Sequence, residues 1–230
     1  MPESSSPRLP KAVSQRLSLY LRHLEALEAG HKDTVSSSQL GRALGLTAAQ
    51  VRRDLAYFGQ FGFPGIGYKV ANLVQEVRRI LGTDRTWSVA LIGAGNLGTA
   101  LLRYRGFRKQ GFEIAAVFDA DAKLEGKLIG GITIHAISDL ARVVREQGIS
   151  IAIVAVPAEA AQDVAKHLVD AGVRGILNFA PTRLDVPESV VVHPVDLALQ
   201  LEQLAFRMRL DGMDVPVAPR RKGADEGAPG

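Results

Sequence analysis

The sequence predicts two units of different class: helices closed by a small β-hairpin over residues 1–82, then an α/β unit built on a parallel sheet over 83–195. Three observations predict this. Apolar residues recur at helical spacing from Lys11 onward, with breaks at Gly30 and Gly45. The stretch YFGQFGFPGIGYKV, with glycines at 59, 62, 65 and 67, is too glycine-rich for a helix. From Trp87 onward, short apolar runs alternate with helical patterns, and the first run leads directly into Gly93-Ala94-Gly95-Asn96-Leu97-Gly98.

The first unit reads as four helices. One spans Lys11 to Ala29, with Val13, Leu17, Leu21 and Leu24 on its apolar face and Gly30 as its stop. A second starts in Ser36-Ser37-Ser38, buries Leu40, Ala43 and Leu44, and ends at Gly45. Thr47-Ala48-Ala49-Gln50 has the form of a capping box, so a third helix follows at once, with Val51, Leu55 and Phe58 inward and Gln50, Arg52 and Arg53 outward. Two short helices around a tight glycine turn form a helix-turn-helix, whose second helix enters the DNA major groove. Gln50 suits adenine, and Arg52 or Arg53 suits guanine or a phosphate. The alternative is a plain helical hairpin with a solvated arginine face. The glycine-rich stretch then reads as two strands and a turn, a wing that would bring Tyr68 and Lys69 to the DNA backbone. A fourth helix, Asn72 to Leu81, buries Leu73, Val77, Ile80 and Leu81. Gly82 closes it, and 83–85 is a linker.

Charge agrees with this division. Residues 1–82 hold eleven Lys and Arg against six Asp and Glu, whereas 83–212 hold fourteen against fifteen. A local basic excess suits a polyanion.

In the second unit, Trp87–Ile92 is a buried strand. Gly93 permits the tight turn, Gly95 lets backbone approach a pyrophosphate, and Gly98 lets the following helix pack closely. That helix start offers N–H groups to phosphates. A second strand, Glu113 to Phe118, ends in Asp119, 21 positions after Gly98, where an acid binds the adenosine ribose. An acid there repels a 2′-phosphate, which favours NAD over NADP, with Lys123 as the one nearby cation. Further strands at Ile132–Ile134, Ser150–Val156, Gly175–Asn178 and Val190–His193, with helices at Asp139–Gln147 and Ala158–Ala171, complete a doubly wound sheet. Val156 and Pro157, with Asn178, Phe179 and Ala180, would line the crevice at its strand ends. The alternative ligand for the same crevice is coenzyme A.

The last helix, Asp196 to Leu210, is apolar over a broad surface, and 213–230 reads as a disordered tail. There is no cysteine, which excludes disulfides and thiol redox sensing. No metal is expected. No apolar run reaches eighteen residues and MPESSSPRLP has no signal-peptide core, so a cytoplasmic protein is expected. Of the five histidines, His23 and His31 fall in the first unit, His167 on a surface helix, and His135 and His193 beside strands; a structural role is expected for each. With no substrate domain after the sheet, an enzyme is not expected. The rival reading is an NAD-dependent oxidoreductase with a helical appendage.

Taken together, PKAVSQRLSLYLRHL, VSSSQLGRALGLTAAQVRRDLAYFGQFG, GIGYKV, IGAGNLGTAL, VFDAD, VPAEAAQ and GILNFAP resemble the bacterial redox-sensing transcriptional repressor Rex family over nearly the whole chain. The resemblance implies a homodimer of winged-helix and Rossmann domains, with the last helix, 196–212, swapped between the two domains of the other subunit. It implies a clamp on palindromic operator DNA. NADH closes the Rossmann domains and releases DNA, while NAD⁺ competes and leaves DNA binding possible, in control of respiration and fermentation genes. The candidate DNA contacts are Lys11, Ser38, Thr47, Ala48, Gln50, Arg52, Arg53, Tyr68 and Lys69. The candidate cofactor contacts are Gly93, Ala94, Gly95, Asn96, Leu97, Gly98, Asp119, Lys123, Val156, Pro157, Asn178, Phe179, Ala180 and Tyr104. The family's switch network falls on Arg22, Tyr104 and the other subunit's Asp196. The wing departs from the family pattern: Phe63-Pro64 stands where many relatives carry a basic residue.

Overall fold

The computed structural model describes residues 11–63 and 65–213; the Lys11 side chain and 214–230, nearly all of the expected tail, lie outside the described residues. Helix α1 (Lys11–Ala29) has the predicted bounds and buries Val13, Leu17, Tyr20, Leu21 and Leu24. A two-residue strand β1 (Thr34–Val35), which no periodicity could announce, leads into α2 (Ser37–Leu44). The reciprocal capping box forms at Ser36 and Gln39, not at the predicted place. Gly45 closes α2 in the left-handed region at φ 67°, a conformation natural to glycine, and this makes the turn tight. Leu40 and Gly41 are buried, whereas Ala43, expected inside, falls off that arc and is exposed.

Helix α3 (Ala48–Ala56) is capped by the Thr47 hydroxyl, which accepts the Gln50 N–H at 3.1 Å. The Gln50 side chain does not return to complete a box; its Nε2 donates to Asp54 Oδ1 at 2.7 Å. Val51 and Leu55 are buried, and Phe58 lies beyond the helix end, half-buried. Strands β2 (Gly62–Phe63) and β3 (Gly67–Lys69) form the antiparallel wing, with β1 on the other side of β3. Helix α4 starts two residues earlier than predicted (Val70–Leu81) and buries Val70, Leu73, Val74 and Val77; Ile80 and Leu81 are half-buried.

The sheet domain comprises β4 (Trp87–Ile92), α5 (Asn96–Arg103), α6 (Gly106–Lys109), β5 (Phe112–Asp119), β6 (Leu128–Ile129), β7 (Ile132–Ala136), α7 (Leu140–Glu146), β8 (Ile151–Val154), α8 (Ala158–Ala171), β9 (Gly175–Asn178) and β10 (Val191–Pro194). Among the described residues its order is β10-β9-β8-β4-β5-β7-β6, with all neighbours parallel except the β6–β7 hairpin. The chain winds outward from β4 through β5 to β7, then returns to place β8 on the other side of β4. The crevice between the ends of β4 and β8 is the topological switch point, where such sheets bind ligands.

Both faces of the sheet carry apolar residues, as expected of buried parallel strands. One face, with Ala90, Ile92, Ala116, Phe118, Ala152, Val154 and Ile176, packs into a single core with residues of α7 and α8. The other, with Val89, Leu91, Val117 and Ile153, meets Leu101 and Leu102 of α5. Beyond α5 that second face is open. The final helix α9 (Leu197–Leu210) buries no residue, and Leu197, Leu201, Leu204 and Phe206 are exposed.

Candidate functional site

Three places gather the predicted residues. The first is the outer surface of the N-terminal domain. Ser38, Arg52, Arg53 and Lys69 are exposed there, and Thr47, Ala48 and Gln50 stand at the start of α3. Arg52 Nη1 donates to Ser37 Oγ at 3.0 Å, linking α3 to the start of α2. Tyr68 corrects the expectation. The pleat of β3 leaves Lys69 outside and sends Tyr68 into the core, 8% exposed, where burial raises its pKa. The wing instead presents Phe63 and Ile66, each 62% exposed.

Sequence reasoning missed the residue that organises this surface. Asp54 is 2% exposed on the inner arc of α3. Its carboxylate accepts Arg16 Nε at 2.6 Å and Nη2 at 2.8 Å, Tyr20 Oη at 2.7 Å and Gln50 Nε2 at 2.7 Å. Burial opposes its charge, but the hydrogen bonds from Arg16, Tyr20 and Gln50 outweigh burial and hold its pKa below the ordinary aspartate value. Burial and the Asp54 bond push the Tyr20 phenol up. An acid between Val51 and Leu55 on an apolar arc was the available signal.

The second place is the crevice at the switch point. Gly93 turns at φ 96°, and a Cβ there would strike the Ala155 carbonyl at the end of β8. A Cβ at Gly98 would overlap the Gly93 carbonyl oxygen, so α5 packs against the turn only with glycine. Gly95 is different: a Cβ there would meet no protein atom within 4 Å. The fold does not need that glycine, which suits room kept for a ligand. Gly95 caps α5 with no side-chain hydrogen bond, and Asn96 and Leu97 are exposed beside it, so the positive end of the helix faces outward. Asp119 ends β5 next to this turn. Its Oδ2 accepts the Ala94 N–H at 2.6 Å and its Oδ1 the Asp121 N–H at 2.8 Å. Lys123 is exposed in the loop after β5, and Val156 and Pro157 follow β8. Asn178 is corrected from contact to support. It is 1% exposed, and its side chain bonds the Ala180 N–H and the Ala180 and Thr182 carbonyls, fixing the loop that carries Phe179 and Ala180.

The third place is a cleft of about 660 Å³ on the open sheet face, lined by Arg22 of α1, Tyr104, Phe107, Ile151, Ile153 and Leu177, among others. Tyr104 was expected near the cofactor. The helix stops at Arg103, and Tyr104 takes an extended backbone at the end of α5 remote from the glycine turn, 60% exposed, with its ring edge-on to Phe107. Arg22 and Tyr104 thus share a cleft. Asp196 of the same chain lines a different groove and caps α9, accepting the Leu199 N–H at 2.9 Å. The histidines gather into no site: His135 stacks near Phe118, and His167 and His193 are exposed. Among the described residues no cluster of three metal-ligating side chains forms, and no helix is long and apolar enough to cross a membrane.

A winged helix-turn-helix joined to a Rossmann domain with an open phosphate turn defines a class: nucleic-acid readers coupled to a dinucleotide-type sensor fold. Comparison with known proteins agrees. Residues 8–56 match the family described as "Putative DNA-binding protein N-terminus", and 84–182 match the CoA binding domain family. The redox-sensing transcriptional repressor Rex of Carboxydothermus hydrogenoformans is 52% identical over 89% of this chain and 98% of its own. That of Streptomyces coelicolor is 43% identical over 100% of this chain and 94% of its own. A crystal structure of the Rex-family repressor RSP in complex with NAD⁺ and operator DNA superposes with a TM-score of 0.85, at 35% identity over 91% of this chain and all of that one. RSP in complex with NADH gives 0.80, at 34% identity over 90% of this chain and 97% of that one. The chain belongs to the Rex family of redox-sensing transcriptional repressors.

Proposed function

We propose that the chain binds palindromic operator DNA as a homodimer and is released from it by NADH, with NAD⁺ opposing release. The observation that carries this reading is the pairing, in one chain, of an exposed arginine face on α3 with a glycine turn whose central Gly95 has no structural reason to be glycine. Relatives solved with operator DNA and NAD⁺, and with NADH, support the same pairing.

The residues divide the work. Arg52, Arg53 and Lys69 supply charge for phosphates or guanine, and the start of α3 meets base edges. Gly95 and the N-terminus of α5 receive the pyrophosphate. Asp119 takes the ribose hydroxyls. Val156 and Phe179 give the nicotinamide end an apolar wall. The cofactor supplies a redox-dependent charge, cationic when oxidised and neutral when reduced, and an apolar wall favours the neutral ring because burying the cation costs more. NADH releases DNA only if it binds the closed dimer more tightly than the DNA-competent one, and DNA then weakens NADH binding by the same factor. The open cleft at Arg22 and Tyr104 would receive the partner's α9, bringing the partner's Asp196 to them. Nothing in this scheme turns over a substrate, and the protein acts as a sensor, not an enzyme, in the bacterial cytoplasm.

The test is fluorescence anisotropy of a labelled operator selected against this protein, titrated with NADH and then NAD⁺ at fixed salt. Release by NADH that NAD⁺ resists is expected; indifference to both overturns the reading. Asp119→Ala should weaken NADH binding by about 1.5–3 kcal/mol, the worth of hydrogen bonds to a charged group, and leave the repressor on DNA at NADH levels that release the wild type. Stabilisation by coenzyme A and not by NADH in a thermal-shift comparison would move the ligand to the other nucleotide class.

A further inference from the structure

We infer that Asp54 is a positioning residue for base reading: it sets the amide of Gln50 and ties the reading helix α3 to α1. This rests on the proposal that α3 meets operator DNA. A carboxylate offers about four acceptor sites, and all four hydrogen bonds of Asp54 are made, by Arg16 twice, Tyr20 and Gln50. Three of those donors come from α1, so the buried charge joins the two helices in one fixed geometry. A buried ion pair is a weak device for stability, since apolar residues of similar volume do as well; what it adds is direction.

The fourth donor is the one that bears on function. Gln50 sits in the first turn of α3, where a recognition helix approaches base edges. An ionised carboxylate only accepts, so the amide nitrogen must face Asp54. Donating the hydrogen trans to Oε1 leaves Oε1 and the other Nε2 hydrogen side by side, the pattern that matches adenine N6 and N7. A free glutamine would spread over many rotamers and both amide orientations; here one is selected before DNA arrives. Arg16 and Tyr20 lie on the helix that also carries Arg22 into the sheet-domain cleft and Glu25 to Gln110 Nε2 at 3.2 Å. A displacement of α1 therefore acts on the Gln50 amide through Asp54.

The experiment measures binding of the full-length protein to the selected operator, to versions with single base-pair changes, and to an unrelated duplex. Asp54→Asn, Gln50→Ala, their double variant and Tyr20→Phe are compared with wild type. Asp54→Asn should lose about tenfold in operator affinity and the adenine preference at one position per half-site, with affinity for the unrelated duplex and the salt slope unchanged. The double variant should bind no worse than Gln50→Ala. Tyr20→Phe, which keeps the ring and removes one donor, should show the same loss at smaller size, and it decides the matter if Asp54→Asn fails to fold. Losses that multiply in the double variant, or that fall equally on both duplexes, overturn the inference. A wild-type protein that binds no selected duplex overturns the reading beneath it, and that arm is read before any variant.

Discussion

The N-terminal domain and the sheet domain are held together by different means. The N-terminal core is apolar except at one point, where Asp54 draws Arg16, Tyr20 and Gln50 together. The sheet domain buries no charge among its described residues; its one buried polar side chain is Asn178, which serves a loop. Apolar contacts are non-directional, so they suffice where a sheet must be supported. A hydrogen-bonded charge fixes angles, and it appears where a helix must be aimed. The domains also differ in closure. The N-terminal domain covers its own core, whereas the sheet domain leaves the cleft at Ile151, Ile153 and Leu177 open, and none of the described residues buries the apolar side chains of α9.

The largest effect is expected where closure is incomplete. If the partner's α9 fills the cleft, Leu201→Ser with Phe206→Ser removes two side chains per subunit, now 67% and 63% exposed, and therefore four from the symmetric dimer interface. At about 1.5–3 kcal/mol for each large apolar side chain buried, association should weaken by roughly 6–12 kcal/mol per dimer. Sedimentation velocity would then show monomers at micromolar concentration, with the far-ultraviolet circular dichroism of a folded subunit. A double variant that remains a dimer with an unchanged dissociation constant would show that α9 is not the missing cover.

The next effect tests the closed face. Leu168 of α8 is fully buried against the sheet. Leu168→Ala should cost about 2–5 kcal/mol through lost contacts and a cavity. A domain stabilised by non-directional packing should melt lower but keep its association and its response to NADH. Loss of NADH response at temperatures where the variant is still folded would show that this face is aimed as well as supported.

Much of this contrast was legible in the sequence. The bounds of α1, β4, α8 and β9 follow from apolar period and continuity, with Gly30 and Gly93 marking the ends of α1 and β4. Strands β1 and β6, of two residues each, have no period to read. Helix α6 was hidden because Arg103-Tyr104-Arg105 looks like the continuation of α5, whereas the chain turns extended at Tyr104 and the Tyr104 ring meets Phe107 edge-on. The glycine turn and Asp119 were readable because a ligand imposes their spacing. The place of Asp54 on the apolar arc of α3 was readable but its role was not, because its partners Arg16 and Tyr20 lie 38 and 34 positions away and only packing brings α1 across α3.

The smallest expected effect separates the two kinds of stabilisation by pH. The hydrogen bonds at Asp54 hold its folded-state pKa below the ordinary aspartate value, against the opposing effect of burial. A depressed pKa means that the unfolded chain takes up the proton first as pH falls, so the stability contributed by the charge is complete above the ordinary value of about 4 and drains away below it as the folded-state pKa is crossed. Urea unfolding of wild type and Asp54→Asn, followed by hydrogen exchange in α1 and α3, should show a gap between the two that is constant near pH 6 and narrows from about pH 4 downward. The deficit of Leu168→Ala, which involves no proton, should not change over the same range. A gap for Asp54→Asn that is equally flat would mean that the carboxylate contributes through shape alone, and the distinction between an aimed domain and a supported one would lose its electrostatic basis.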